Sequence, residues 1–188
     1  AQHIFSGAKQ KKRFEYKDPG EGLLCYQLSG NKADVLARAS KQACLWGADL
    51  IDLNCGCPQP KIRKKNVGSS LLADPGHLYQ LVRAMKSAVS VPVTVKIRVD
   101  GSSQDNNNMC VADAVSSAGA DALIVHGRHW SERYDTQVSS QQIKLFVDAV
   151  DIPVIANGDV ECATSAKKLL DQTGAAGIMI ARASLGQP

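Results

Sequence analysis

The sequence predicts an α/β fold built as a (β/α) barrel, because short apolar runs alternate with longer amphipathic stretches along its 188 residues. The apolar runs are rich in Val, Ile and Leu, which is typical of parallel strands buried on both faces. Gly47-Ala48-Asp49 and Gly119-Ala120-Asp121 each stand between a predicted helix and the next predicted strand. This repeat favours a barrel over a doubly wound sheet, and the first strand lacks the Gly-x-Gly-x-x-Gly of dinucleotide-binding folds.

Six strands and five helices follow from these patterns. The strands are predicted at residues 23–28, 50–54, 93–99, 122–126, 154–157 and 178–182, and the helices at 32–46, 75–89, 109–118, 140–149 and 161–172. Asp74 and Pro75 form a typical helix start, with the acid as N-cap and the proline in the first turn. A complete TIM (β/α)8 barrel has eight strands and roughly 250 residues. We therefore expect an incomplete TIM barrel as a catalytic domain over residues 22–188, preceded by a basic segment at 1–21.

The composition excludes several classes of protein. With 44% hydrophobic and 21% charged residues, the chain has the composition of an ordinary globular domain. No apolar stretch approaches the roughly 20 residues that span a bilayer. Cys55 and Cys57 are too close for a usual zinc pair, and no second Cys or His pair lies at ligand spacing, so we expect no metal. Six scattered cysteines without a disulfide framework favour a reducing, cytoplasmic location. The lack of a long apolar stretch is the reason that we expect no membrane contact.

The net charge of +4 is concentrated in two basic clusters. Their members are Lys9, Lys11, Lys12 and Arg13 in the first, and Lys61, Arg63, Lys64 and Lys65 in the second. A charge cluster is often only a solvated face. The second cluster directly follows the turn Asn54-Cys55-Gly56-Cys57-Pro58, however, and cations around a catalytic mouth suit a polyanion such as nucleic acid.

Each predicted strand ends in a polar or cationic residue. These residues are Gln27, Asn54, Lys96, His126, Asn157 with Gly158, and Arg182. The carboxyl ends of barrel strands meet at one face, where barrel enzymes have their active sites. A cysteine in the turn after the second strand is therefore in a position suited to chemistry, although a free cysteine is also often buried in a core.

These motifs resemble the signature of the tRNA-dihydrouridine synthases. The matching segments are Asn54-Cys55-Gly56-Cys57-Pro58 with Lys61, Gly68-Ser69-Ser70-Leu71-Leu72, Val95-Lys96-Ile97-Arg98, Val125-His126-Gly127-Arg128, Ala156-Asn157-Gly158-Asp159-Val160 and Ile180-Ala181-Arg182-Ala183. The resemblance implies a flavin-binding TIM barrel followed by a smaller helical domain, which we do not expect within these 188 residues. It also implies reduction of particular uridines in tRNA through FMN, with NADPH as the reductant.

The resemblance also implies roles for residues that would contact the substrate. Cys57 would be the catalytic acid that protonates C5 of the uracil while hydride reaches C6, and Cys55 would be a bystander. Asn54 would hold the edge of the uracil, and Arg98 would contact the uracil or the phosphate beside it. Lys61 and Arg63 would contact tRNA phosphates.

A second set of residues would bind the cofactor. Lys96 would stabilise negative charge at the N1–O2 edge of the reduced flavin, and Gln27 and His126 would line the flavin. Asn157, Gly158 and Asp159 would form one FMN phosphate loop, and Ala181 with Arg182 the other. The family's usual glycine before this arginine is Ala181 here.

Two other functions remain open from the sequence. One is a flavin barrel that reduces a free pyrimidine, against which the Val125-His126-Gly127-Arg128 phrase and the basic cluster after Cys57 argue. The other is an RNA-binding barrel fragment without catalysis, which the missing strands favour and the presence of Cys57, Lys96 and His126 opposes. The sequence does not specify the oligomeric state.

Overall fold

A computed structural model of the chain describes residues 20, 22–100 and 106–186. The first basic cluster, and nearly all of the predicted N-terminal segment at 1–21, lie outside these described residues. None of the helices in the described ranges is long and apolar enough to cross a membrane.

Six parallel strands form a single sheet in the described part of the chain. They are β1 (Cys25–Leu28), β2 (Leu50–Cys55), β3 (Val93–Arg98), β4 (Ala122–His126), β5 (Val154–Asn157) and β6 (Gly177–Met179). Their order in the sheet is the order of the chain, and every neighbouring pair is parallel. Sequential order without a switch point is the topology of a barrel. The prediction of six of the eight strands of a (β/α) barrel is confirmed.

The helices connect successive strands. They are α1 (Ala33–Leu45), α2 (Pro60–Arg63), α3 (Pro75–Lys86), α4 (Asn106–Ser117), α5 (Ser140–Ala149) and α6 (Ala163–Thr173), with 3-10 turns at Gly68–Ala73 and Arg182–Ser184. The predicted cap of α3 is present, because Asp74 Oδ1 accepts from the backbone N–H of His77 at 2.9 Å. The short α2 and the turn at Gly68–Ala73 were not predicted, since each is too short to show a helical period.

The recurring Gly-Ala-Asp phrase has a structural role at the amino ends of the strands. The carboxylate of Asp49 accepts from Leu24 N at 2.7 Å, and that of Asp121 accepts from Val93 N at 2.7 Å. The backbone N–H groups of the same aspartates donate to Leu24 and Val93 carbonyls at 2.9 and 2.8 Å. Each aspartate therefore ties the start of its own strand to the preceding one.

The core lies between the sheet and the helices. Side chains that alternate along β2 and β3 towards the helices are fully buried, among them Ile51, Leu53, Val95 and Ile97. The residues between them, such as Asn54 and Lys96, face the interior of the barrel, because successive side chains of a strand point to opposite faces.

The end of β6 corrects one prediction. This strand covers Gly177–Met179 instead of 178–182, and Arg182 lies in the 3-10 turn that follows it. Within the described residues, β5 pairs with only three residues of this segment, Gly177, Ile178 and Met179. Arg182 is therefore presented by a turn beyond the sheet, and its side chain is 61% exposed.

Candidate active site

A cavity of about 890 Å³ opens at the carboxyl ends of the strands. Eleven of the thirteen residues predicted for the site line it: Gln27, Asn54, Cys57, Lys96, Arg98, His126, Asn157, Gly158, Asp159, Ala181 and Arg182. The sheet register brings them together, since Asn54 lies beside Lys96, and His126 lies between Arg98 and Asn157. The remaining two, Lys61 and Arg63, lie on α2 outside the cavity wall.

The amide of Asn54 organises the turn that carries Cys57. Its Oδ1 accepts hydrogen bonds from the backbone N–H groups of Gly56 at 3.2 Å and Cys57 at 3.0 Å. Its Nδ2 donates to Gln27 Oε1 at 2.8 Å. Both lone pairs of Asn54 Oδ1 are therefore used, whereas one hydrogen of Asn54 Nδ2 remains for a ligand.

A second segment supports the Cys57 turn from the other side. The carbonyl oxygen of Cys57 accepts from Ser69 N at 3.1 Å and from Ser69 Oγ at 3.0 Å. Arg63 donates to the same hydroxyl at 2.9 Å. Both backbone polar groups of Cys57 are therefore bonded, which fixes the position of its side chain at the cavity wall.

The two cysteines of the turn differ in their surroundings. Cys55 is the last residue of β2, faces the helices and has 0% exposure. Burial, with the charge of Asp52 adding to it, raises the pKa of the Cys55 thiol well above its usual value. Cys57 is partly exposed and lines the cavity. Of the two thiols, Cys57 is the one that a ligand in the cavity can reach.

A buried carboxylate that was not predicted for the site lies beneath it. Asp52 Oδ2 accepts from Gln27 Nε2 at 2.8 Å, and Asp52 Oδ1 accepts from Thr94 Oγ1 at 2.7 Å. Burial raises the pKa of Asp52 to about 6, although the hydrogen bonds from Gln27 and Thr94 and the charge of Lys96 lower it. The period-2 spacing from Asn54 was the available signal, because it puts Asp52 on the same strand face.

Lys96 is a cation of β3 that faces the barrel interior. Its Nζ donates to Asn157 Oδ1 at 2.8 Å, and Asn157 Nδ2 donates to the carbonyl of Met179 at 2.8 Å. Burial lowers the pKa of Lys96 to about 8, while the charge of Asp52 raises it and that of Arg98 lowers it. Lys96 remains mostly protonated at neutral pH and is fixed in position by the end of β5.

Arg98 connects the Cys57 turn to the loop after β4. Its Nε donates to the carbonyl of Gly56 at 3.0 Å, and its Nη1 donates to the carbonyl of His129 at 3.0 Å. The guanidinium carbon lies 5.7 Å from the centre of the Tyr134 ring. Arg98 therefore contributes positive charge to the cavity and also holds two of its loops.

Behind His126, the almost fully buried Arg128 forms an ion pair with Asp159, whose side chain is partly exposed. Arg128 Nη2 lies 2.6 and 2.7 Å from the carboxylate oxygens of Asp159, and Arg128 Nη1 lies 3.2 Å from His126 Nε2. Burial, with the charges of Arg98, Lys96 and Arg128, lowers the pKa of His126 to about 3, although Asp159 opposes this effect. Arg128 belongs to the Val125-His126-Gly127-Arg128 motif but was not predicted as a site residue.

The predicted phosphate loops lie at one end of the cavity. Arg182 Nη2 is 3.6 Å from Asp159 Oδ1, and the Arg182 guanidinium lies 5.1 Å from the Tyr134 ring centre. Gly158 and Ala181 complete this part of the wall. The carboxylate of Asp159 is already paired with Arg128, so the exposed Arg182 is the cation available to a phosphate here.

The second basic cluster lies beside the cavity mouth. Lys61 is exposed on α2. Arg63 packs over Trp130, with its guanidinium carbon 3.6 Å from the ring centre, and also donates to Ser69. Trp130 in turn packs against His129 at 5.1 Å between ring centres. Within the described ranges, no group of three or more His, Cys, Asp or Glu side chains is arranged to hold a metal ion.

Comparisons with known proteins show the same family along the whole chain. A family model described as dihydrouridine synthase (Dus) matches residues 1–188. The tRNA-dihydrouridine synthase B of Yersinia pestis is 39% identical over 167 residues, covering 89% of this chain and 52% of that protein. The tRNA-dihydrouridine synthase B of Vibrio vulnificus is 36% identical over 185 residues, covering 98% and 57%.

A third relative gives a similar match. The probable tRNA-dihydrouridine synthase 1 of a Synechocystis species is 40% identical over 171 residues, covering 91% of this chain and 48% of that protein. The chain spans about half the length of the curated relatives it matches.

Proposed function

The chain belongs to the dihydrouridine synthase family, and from this premise we propose that the protein reduces the C5–C6 double bond of uridines in tRNA. The observation that carries the proposal is the position of Cys57. Its backbone is held by Asn54 and Ser69, and its side chain lines a cavity with the interior cation Lys96. A proton donor and a buried cation in one cavity suit the reduction of a polarised double bond.

The residues of the cavity fit FMN. A volume of about 890 Å³ lies within the roughly 300–1,000 Å³ of small-molecule sites. Lys96 would hold the N1–O2 edge of the flavin, and Gln27 and His126 would line its ring. Asn157, Gly158, Asp159, Ala181 and Arg182 would surround the phosphate. When bound, FMN supplies hydride to C6 of the uracil, with NADPH as its reductant.

The protein's own contribution to the chemistry is the proton. Cys57 Sγ–H would donate it to C5, and the two hydrogen-bonded backbone groups of Cys57 would keep the sulfur in place during the transfer. Lys96 would stabilise negative charge beside the reacting base. Cys55 takes no part, because its side chain is buried away from the cavity.

The tRNA would be held by groups at the cavity mouth. The remaining Nδ2 hydrogen of Asn54 is available to a uracil carbonyl, and Arg98 supplies positive charge to the base or to the phosphate beside it. Lys61 would contact tRNA phosphates. Arg63 would add charge there, although its guanidinium is already stacked on Trp130. The uridine must unstack from its neighbouring bases to enter the cavity. Contacts to the sugar-phosphate backbone must therefore hold the tRNA while the base is in the cavity.

We assign residues 22–188 to the catalytic barrel and residues 1–21 to a basic segment before it. We also place the reaction in the cytoplasm. The support for this location is chemical: all six cysteines are unpaired, as is usual in a reducing compartment.

The test is a single-turnover assay of the full-length protein with FMN, NADPH and unmodified tRNA. The variant is Cys57→Ala, and the matched control is Cys55→Ala, which removes the neighbouring buried thiol. We expect wild type and the control to form dihydrouridine. Cys57→Ala should still oxidise NADPH, but its product formation should be lower by at least about 100-fold.

Other outcomes would select a different function. Product formation by Cys57→Ala at the wild-type rate would remove Cys57 from the mechanism. Faster reduction of free uracil than of tRNA would indicate a free-pyrimidine reductase. Binding of tRNA without NADPH oxidation by any variant would indicate a non-catalytic RNA-binding barrel.

A further inference from the structure

Arg128 is the largest side chain with almost no exposure in the described part of the protein, at 1%. Its Nε donates to the carbonyl of Thr136 at 2.5 Å, and its Nη2 donates to the carbonyl of Tyr134 at 3.0 Å and to Asp159. Its Nη1 faces His126 Nε2 at 3.2 Å. Burying a guanidinium costs free energy unless its N–H groups find hydrogen-bond acceptors. Because these acceptors lie on different segments, the guanidinium of Arg128 is held in one orientation.

The contact between Arg128 and His126 determines the proton positions on the imidazole. A guanidinium carries only donors and stays protonated, so His126 Nε2 must accept the hydrogen bond. An accepting ring nitrogen carries no proton. His126 is therefore neutral, and its one N–H is on Nδ1. The surrounding charges agree, because Lys96, Arg98 and Arg128 disfavour an imidazolium and only Asp159 favours it.

The other ring nitrogen faces the cavity. His126 lines the cavity wall, and its hydrogen bond to a described residue is the one made through Nε2. Across the part of the chain that the structure describes, Ser40 Oγ alone is a buried side-chain polar atom without a partner. Nδ1 is therefore accessible, and the cavity is the space to which it opens.

The backbone at Gly158 keeps the ring in this orientation. A β-carbon built on Gly158 would lie 3.0 Å from His126 Cδ2 and 3.2 Å from His126 Nε2, and would also collide with Val138. The imidazole thus packs edge-on against the chain after β5. A ring flip would remove Nε2 from Arg128 and place a carbon opposite the guanidinium.

We propose that Arg128 is a positioning residue that holds His126 as the neutral Nδ1–H tautomer, so that His126 presents a hydrogen-bond donor to a carbonyl of the bound ligand. The tautomer follows from the protein alone. Only the identification of the acceptor as a carbonyl of FMN rests on the proposed function.

The first test is nitrogen-15 NMR of His126 in the full-length protein, which distinguishes a protonated from an unprotonated ring nitrogen directly. We expect Nδ1 protonated and Nε2 unprotonated in wild type. Arg128→Met removes the donor at similar length, and we expect a mixed or Nε2–H ring. Arg128→Lys retains a cationic donor, and we expect it to restore the wild-type tautomer in part. An arginine that only stabilised the fold would not make the tautomer of His126 follow the order wild type, Arg128→Lys, Arg128→Met.

The wild-type spectrum alone can overturn the proposal, even if Arg128→Met fails to fold. A protonated Nε2 in wild type would do so, as would an unchanged tautomer in a folded Arg128→Met protein. Asp159→Asn is a milder second variant, because it weakens the hold on Arg128 but leaves the guanidinium in place. We expect Asp159→Asn to change the tautomer populations of His126 less than Arg128→Met does.

A titration with FMN tests the ligand side. His126→Phe keeps the aromatic ring but removes Nδ1–H, and we expect about three- to tenfold weaker FMN binding, as for the loss of one hydrogen bond. Equal FMN binding by wild type and His126→Phe would refute donation to FMN. Failure of wild type to bind FMN at all would refute the FMN acceptor and the proposed function together, while the NMR result would still decide the tautomer.

Discussion

The side-chain oxygen of Asn54 accepts a hydrogen bond from the backbone N–H of Cys57 at 3.0 Å. The same oxygen accepts from Gly56, and the amide nitrogen of Asn54 is held by Gln27, which is held in turn by Asp52. A chain of hydrogen bonds thus leads from a buried carboxylate to the turn that carries the partly exposed thiol of Cys57. Because a carboxylate only accepts, it orients both amides along this chain.

Replacing Asn54 by alanine should affect both stability and activity. Two partly buried backbone N–H groups lose their acceptor, which costs about 1–3 kcal/mol of unfolding free energy. The Cys57 turn loses its fixed position, so dihydrouridine formation should fall by more than tenfold. Urea unfolding and single-turnover assays measure the two effects.

Ser70→Ala is the matched control for this variant. It removes a 2.9 Å bond between a side chain and the carbonyl of Val67 in the neighbouring segment, without touching Cys57. Equal losses of activity in both variants would argue against a specific role of Asn54.

Gly68→Ala should destabilise the Cys57 turn by a steric contact. The backbone of Gly68 has φ of +68°, and an added β-carbon would lie 2.7 Å from the Cys57 carbonyl oxygen. The left-handed backbone alone costs about 1–2 kcal/mol with a side chain, and the contact adds to it. Urea unfolding should show a loss well above that value, together with slower reduction of tRNA.

Gly47→Ala separates the two contributions. Gly47 has φ of +85°, but an added β-carbon there would meet nothing within 4 Å. We expect Gly47→Ala to lose only the about 1–2 kcal/mol of unfolding free energy that a side chain costs in the left-handed backbone, and to retain full activity. Similar losses of stability at both glycines would show that the contact with Cys57 is relaxed at little cost.

The pKa of Asp52 predicts a pH dependence of stability. Burial raises this pKa from 3.8 to about 6 in the folded protein, so the folded state holds the proton more tightly than the unfolded state. The stability from Asp52 is therefore fully present below pH 3.8 and is lost as the pH rises through about 6. A shift of about two units corresponds to a change of about 3 kcal/mol.

Asp52→Asn tests this contribution. Unfolding free energies of wild type and variant should be measured at several pH values from about 4 to 7, and their difference should change with pH in the direction given above. A constant difference across this range would mean that Asp52 does not titrate there.

Lys61→Ala should weaken tRNA binding and reduce its dependence on salt. One lost phosphate contact lowers the slope of log affinity against log salt by about one at most. Lys41→Ala is the control, because it removes an exposed lysine from α1, away from the cavity wall. Binding measured by filter retention at several salt concentrations distinguishes them, and identical slopes would remove Lys61 from the RNA interface.

Much of the fold could be predicted because buried parallel strands are continuous apolar runs. The four strands from β2 to β5 end within one residue of their predicted bounds for this reason. The end of β6 could not be predicted, since that strand is partly exposed and its length depends on pairing with β5. Eleven predicted site residues meet in one cavity, because the carboxyl ends of parallel strands share one edge.

The sequence by itself determined the family, the succession of strands and helices and the residues at the strand ends, because motif order and local periodicity carry this information. Only the tertiary structure decided how those residues bond to one another. Gln27 and Asp52 are 25 positions apart, and Arg128 and Asp159 are 31 apart. Contacts over such separations depend on sheet register and loop packing. They decide which nitrogen of His126 is free and which groups hold Cys57.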